Sequence, residues 1–149
     1  MPLCIRQASE ADLPAILNLY AEALEDKQVI SLEQAQYLLA RINSYPNYKL
    51  YVADLDQVTV GTFALLIMDN LGHLGTPSAV VEDVAVLPGV QGQGIGKQMM
   101  QFALERCQEA GCYKMALSSN LRRHRAHAFY ESLGFKKHGY SFLIELPTK

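Results

Sequence analysis

Three glycines at alternate positions, Gly92, Gly94 and Gly96, stand between Gln91 and Lys97. An apolar run, Val84-Ala85-Val86-Leu87-Pro88, precedes them, and an amphipathic segment follows. A strand that ends in such a turn and enters a helix frees backbone amides. Those amides can hold phosphate oxygens, and a helix N-terminus favours negative charge. Glycine permits close approach to the backbone. The stretch Gln91, Gly92, Gln93, Gly94, Ile95, Gly96 and Lys97 therefore predicts a pyrophosphate-bearing ligand. Two other phosphate motifs fail at defined positions. A dinucleotide fingerprint needs Gly-x-Gly-x-x-Gly after the first strand, but these glycines are spaced by two and follow a central strand. A nucleoside-triphosphate loop needs Lys followed by Ser or Thr, and Lys97 is followed by Gln98.

Further chemistry lies on either side. Glu82 and Asp83 interrupt a strand otherwise made of Val and Ala. Alternation places Glu82 on the face of Val84 and Val86, and Asp83 on that of Val81 and Ala85. Simple solvation of a strand edge is the plain reading of the pair. Downstream, Arg122, Arg123 and Arg125 surround His124 and precede His127. Arginine forks suit phosphate, phosphonate or carboxylate oxygens, so this cluster faces a ligand's phosphates, an acceptor or bulk water. His127 and Tyr130 are three apart and share one helical face. His127 suits substrate binding or a proton relay, with a structural histidine as the plain alternative. His73 and His138 are weaker candidates.

These residues need elements to position them. Cys4 to Arg6 reads as an edge strand. Ser9 with Asp12 opens a helix to about Ala23, and Ser31 with Gln34 forms a capping box for a second. Leu50 to Ala53 and Val58 to Met68 make an antiparallel hairpin, with Gly61 marking a bulge. A loop spans 69–78, and Ala79 to Leu87 is a central strand. A third helix runs from Gly94 to Gly111. Tyr113 to Ser118 is a strand and His124 to Leu133 a short helix ended by Gly134. Phe135 to Lys137 and Tyr140 to Leu146 are expected as the last strands. The order β-α-α-β-β-β-α-β-α-β-β predicts a mixed sheet with helices on its faces.

Composition bounds the rest. The chain has 149 residues, which fits one domain over 1–149. Its formal net charge of −2 gives no case for a nucleic-acid partner. Cys4, Cys107 and Cys112 have no metal-ligand spacing, so neither a metal site nor a disulfide framework is expected. No signal peptide or membrane span is expected, which points to a cytoplasmic protein.

Gln91-x-x-Gly94-x-Gly96 after Val86-x-Pro88, together with Asn120 and the run Ala128-Phe129-Tyr130-Glu131-Ser132-Leu133-Gly134-Phe135, resembles the GNAT superfamily of N-acetyltransferases. The resemblance implies an α/β (α+β) fold. Its mixed, mostly antiparallel sheet has six to seven strands and about four flanking helices. It implies acetyl-coenzyme A, held by the amides of Gln91 to Lys97, the strand backbone at Val84, Ala85 and Val86, Asn120 and Tyr130. It implies direct acetyl transfer to an amine, with Tyr130 giving a proton to the leaving thiolate. Glu82 is then the base or water-positioning group. Asp83, Arg122, Arg123 and His127 are the candidates for binding the substrate. Leu117-Ser118-Ser119-Asn120 through Tyr130 is most similar to the aminoalkylphosphonate N-acetyltransferase branch. Segments around Glu82 and Gln91 also resemble glucosamine-phosphate N-acetyltransferases. Both imply a small primary amine with an anionic group. A peptide or protein acceptor and a non-catalytic coenzyme-binding module are the alternatives, and a homodimer is compatible with either.

Overall fold

The computed structural model describes residues 2–24, 28–119 and 123–147. The chain forms two compact units, Met1–Leu117 and Ser118–Lys149.

The first unit is built on a five-stranded sheet in sequential order. Its strands are β1 (Leu3–Gln7), β2 (Tyr48–Leu55), β3 (Val58–Met68), β4 (Ser78–Val86) and β5 (Met115–Ala116). The first four pair antiparallel and β5 runs parallel to β4. Among the described residues of this unit are three α-helices, α1 (Leu13–Ala23), α2 (Leu32–Ser44) and α3 (Ile95–Ala110). This is the expected mixed, mostly antiparallel GNAT-type sheet, with five strands among the described residues rather than six or seven.

Strand alternation sorts the side chains into two layers. Leu50, Val52 and Ala64 pack with Ala8, Leu13 and Ile16 and with Ala35 and Leu39 of α2. Tyr51 and Phe63 point the other way and meet Phe102 of α3, with Tyr51 5.2 Å from each ring. Gly61 lets α3 close on this second face, since a Cβ there would lie 2.6 Å from the Met99 sulfur. The bulge expected at Gly61 falls one residue earlier. Ala53 faces Gly61 and Asp54 faces Thr59, which leaves Val60 extra.

Local chemistry sets the element ends. The Gln34 amide donates to Ser31 Oγ at 3.1 Å, and Gln34 Oε1 accepts from the Ser31 amide at 3.3 Å. That is the expected capping box. Asp56 and Gln57 turn β2 into β3 with φ of 50° and 66°, as a two-residue hairpin requires.

Arg6 ties three elements together. Its two terminal nitrogens donate to the Asp12 carboxylate, both at 2.8 Å, and Nε donates to Asp54 at 2.9 Å. Asp12 also accepts the Ser9 amide at 2.8 Å. The Arg6 hydrogen bond is the main reason that Asp12 ionises near about 2 instead of 3.8.

The second unit contains α4 (His124–Ser132), which ends before Gly134 at φ 98°. Residues 135–147 hold no strand, so the expected strands Phe135 to Lys137 and Tyr140 to Leu146 do not form. Tyr140, Phe142, Leu143 and Ile144 are exposed. Apolar, β-prone residues favour extension, but a strand also requires a ladder partner, which local sequence does not specify. Likewise β5 covers two residues of the expected 113–118. Its ladder is limited to Ala79 with Met115 and Val80 with Ala116. No helix among the described residues is long and apolar enough to cross a membrane.

Because the pKa of Asp12 is depressed by folding, its stabilisation is complete above about pH 4 and is lost as pH falls toward 2. Asp12→Asn should cost about 1–2 kcal/mol at pH 7, a range kept low because Arg6 is partly exposed. Urea titrations should show that penalty shrinking through the same acid window. A penalty independent of pH would mean that the charge on Asp12 does not stabilise the fold.

Candidate active site

The centre of the first unit's chemistry is an irregularity in β4. Thr62 faces Ala85 and Ala64 faces Glu82, so Asp83 and Val84 together oppose the single residue Phe63. Asp83 takes φ 54°, a left-handed conformation that Asp tolerates better than most residues. This is a β-bulge. It corrects the simple alternation expected for the strand. The extra residue returns Ala85 to the face of Glu82, so Glu82 does not simply share a face with Val84 and Val86. In register with Ala64 and Leu50, Glu82 lies on the face that carries α1 and α2.

Glu82 and Asp83 are both solvent-exposed. Partial desolvation raises the Glu82 pKa, and the Asp83 charge raises it further. Tyr48 shares the face of Leu50 and packs on the same core. Its phenol is raised first by burial and then by the charges of Asp83 and Glu82. Its ring stacks on Tyr45 at 6.0 Å with only 7° between planes. Two carboxylates thus stand beside an aromatic pair, a setting that suits a cationic amine. Tyr45 and Tyr48 are not apparent from sequence because their closeness to Glu82 depends on the register across three strands. Their spacing alone gives only a weak sign.

Beyond the bulge no described residue pairs with β4 on its β5 side, since that ladder ends at Val80. Val84 and Val86 are half-buried and Ala85 is buried. A short helical turn over Pro88–Val90 then redirects the chain. Gln91 Nε2 donates to the Val86 carbonyl at 3.1 Å and closes the turn onto the strand. Gly92 and Gly94 have φ of 86° and 81°, and a Cβ at either would meet open space. Glycine is therefore needed for backbone conformation and leaves the approach clear. Gly94 is the N-cap of α3, with no side-chain cap and no acid in the first turn. Gln93 is exposed, Ile95 is buried, and Gly96 and Lys97 lie in that first turn. First-turn amides lack intrahelical acceptors. This end of α3 fits an anion by charge, hydrogen bonding and access.

In the second unit Arg123, His127 and Tyr130 follow one another at helical spacing along one side of α4. Arg123 is the N-cap, and its carbonyl accepts the His127 amide at 3.0 Å. The His127 ring lies 5.9 Å from His124. Tyr130 is buried, edge-on to Phe135 with ring centres 5.7 Å apart. Its carbonyl accepts the amides of Leu133 and Phe135, each at 3.1 Å. Burial raises the Tyr130 pKa above its ordinary 10, an effect opposed by Arg123. Tyr130 is thus a protonated phenol at neutral pH, suited to giving a proton. Asn120 and Arg122 lie outside the described residues. Among the weaker candidates, the His73 ring stacks on Tyr113 at 4.5 Å and His138 is exposed.

A cleft of about 270 Å³ lies on the opposite sheet face, lined by Lys49, Tyr51, Ile67, Arg106 and Glu109 among others. Arg106 there donates to Glu109 at 2.9 and 2.7 Å, so its charge is already matched. Neither the glycine turn nor Glu82 lines this cleft.

Residues 13–135 match the family model described as the acetyltransferase (GNAT) family. The chain belongs to the GNAT acetyltransferase family. Its relatives include an aminoalkylphosphonate N-acetyltransferase of Salmonella typhimurium, 27% identical over 95% of this chain and 91% of that protein. A glucosamine 6-phosphate N-acetyltransferase of Trypanosoma brucei brucei is 28% identical over 95% of each. A solved structure from Agrobacterium tumefaciens, provisionally assigned as an acetyltransferase, is 31% identical with a TM-score of 0.89. It covers 96% of this chain and 99% of its own. The chain is accordingly an N-acetyltransferase of the GNAT type, with the family's mixed α/β fold.

In this GNAT protein the bulged strand makes a prediction of its own. NMR titration of the Glu82 carboxyl should give a pKa above the ordinary 4.5. Asp83→Asn should lower it only part of the way back, since desolvation is the larger cause. An unshifted Glu82, or one indifferent to Asp83→Asn, would contradict this electrostatic environment.

Proposed function

We propose that this protein transfers an acetyl group from acetyl-coenzyme A to a small primary amine that also carries phosphate or phosphonate. The observation that carries the reading is the bulged β4. It presents Glu82 beside Asp83 and Tyr48, and it leads through the short turn at Pro88–Val90 into the uncapped glycine turn of α3. The two halves of that segment suit the two reactants, an amine and a pyrophosphate.

The coenzyme supplies an activated acetyl thioester when bound. Its pyrophosphate would rest on amides between Gln91 and Lys97, and its pantetheine arm on the backbone edge at Val84, Ala85 and Val86. Asn120 is proposed as a further contact to that arm. Glu82 takes the amine proton directly or through water, and Asp83 helps hold the incoming ammonium. A base whose pKa is drawn upward is better matched to neutral pH than an ordinary carboxylate. Tyr130 gives the proton to the departing thiolate. Arg122, Arg123 and His127 remain the proposed polar contacts of the second unit. On this reading residues 1–149 form one acetyltransferase domain that acts in the cytoplasm.

The acceptor class is supported by chemistry common to two relatives. An aminoalkylphosphonate and glucosamine 6-phosphate share an amine and a phosphorus oxyanion. Thiol release should be measured with aminoalkylphosphonates, amino-sugar phosphates, their uncharged counterparts, polyamines and a lysine peptide. An anionic small amine should give the highest kcat/KM, by about tenfold or more over its uncharged counterpart. A clear preference for polyamines or the peptide would overturn the proposed acceptor class while leaving family membership intact.

A further inference from the structure

The cleft beside the last turn of α3 has no part in the acetyl transfer described above, yet its walls suit a ligand. Asn47, Lys49 and Tyr51 alternate through the entry to β2, so their side chains share the α3 face of the sheet. Lys49 stands opposite Leu65 of β3, and the Ile67 amide donates to the Asn47 carbonyl at 2.9 Å. These two strands form the floor. Arg106, Glu109 and Ala110 of α3 line the other side. All of these residues belong to the first unit.

The polar side chains here are mainly donors. Arg106 is held in place. It lies over the Phe102 ring at 4.4 Å, and its Nε and Nη2 donate to Glu109 at 2.9 and 2.7 Å. Its Nη1 takes no part in that pair and keeps its N–H donors. The Lys49 side chain is exposed and forms no ion pair among the described residues. Tyr51 is only 6% exposed. Its hydroxyl has no hydrogen-bond partner among the described residues and is not sealed from solvent, so it opens into the cleft that Tyr51 lines. Burial raises the pKa of that phenol, which keeps it a donor at neutral pH. An ammonium, a guanidinium and a phenol thus border about 270 Å³ of space floored by Leu65 and Ile67.

Charge and size then select the ligand. Lys49 and Arg106 against the carboxylate of Glu109 leave one positive charge on the described lining. One charge balances a monoanion and falls short of a dianion. The adjoining end of α3 is the negative end of its dipole and opposes a second negative charge. A cationic ligand would meet Lys49. The space falls just under the roughly 300–1,000 Å³ common for drug-sized ligands, so the ligand is small.

We propose that this cleft is a second ligand site, apart from the acetyl-transfer site, and that it binds a small monocarboxylate. The carboxylate lies between Lys49, Arg106 and the Tyr51 hydroxyl, and its apolar body rests on Leu65 and Ile67. The inference stands independently of the acceptor proposed above.

Amide NMR of the full chain, titrated with benzoate, benzamide and inorganic phosphate, tests it. Benzoate should shift the amides of Lys49, Tyr51, Ile67 and Ala110 saturably, with a Kd of about 1 mM or tighter. Benzamide has the same shape without the charge and should bind at least about tenfold more weakly. Lys49→Gln should weaken benzoate about tenfold, and Lys49→Arg should keep most of the affinity. Tyr51→Phe removes only the hydroxyl and should weaken benzoate about three- to tenfold. Saturating acetyl-coenzyme A should leave the benzoate shifts in place. No saturable shift below about 10 mM benzoate would overturn the proposal. So would benzamide binding as well as benzoate, or Lys49→Gln binding with wild-type affinity. Shifts centred on Gly92 and Gly94, or displacement by the coenzyme, would put benzoate on the glycine turn and overturn a separate site. Phosphate binding more tightly than benzoate would overturn the monocarboxylate assignment.

Discussion

One extra residue in β4 is the constraint on which the first unit's site depends. Phe63 is fully buried on the α3 face, stacked on Tyr51 and edge-on to Phe102. Asp83 and Val84 share its place opposite, and Asp83 absorbs the strain in a left-handed turn of the backbone. The bulge keeps Glu82 and Ala85 on the α1 and α2 side. The strand then continues past the end of its β5 ladder, where no described residue pairs with that edge. A regular strand would have sent Glu82 and Ala85 to opposite faces.

The end of β4 and the glycine turn are linked through the backbone. Leu87 donates its amide to Val60 at 2.8 Å, and Gln91 donates its side chain to Val86 at 3.1 Å. These bonds hold the end of β4 while Gly92 and Gly94 turn the chain into α3. Deep in the same layer, Met99 closes over Gly61 and anchors the helix. The exposed end of α3 thus stands on a rigid base. Such support matters for a site that must orient two reactants.

Most of the first unit was legible in sequence because its signals are local. The capping box at Ser31 and Gln34, the Val58–Met68 strand and the glycines bounding α3 each reflect a preference of a few adjacent residues. The glycine turn was legible for the same reason. What was hidden depends on contacts distant in sequence. The face of Glu82 required the bulge against Phe63, and the Tyr45 and Tyr48 wall required the β2 to β4 register. The segment Tyr140 to Leu146 erred in the opposite direction. Its apolar residues promise a strand, but residues 135–147 are not in any ladder. In the second unit, helical spacing correctly brings His127 and Tyr130 to one side of α4. The burial of Tyr130, which keeps its phenol protonated, comes from packing with Phe135 and its surroundings.

In the proposed reaction Glu82, aimed by the bulge, takes the proton of the acceptor amine. The pH dependence of kcat/KM for the preferred amine tests it most directly. An amine that enters as the ammonium leaves kcat/KM level until the group that accepts its proton is itself protonated. In wild type kcat/KM should therefore fall with a logarithmic slope of about one below the raised pKa of Glu82. In Glu82→Gln the rate should fall by roughly 10²–10⁴-fold and that break should disappear. A variant with the wild-type rate and the same break would show that another group removes the proton.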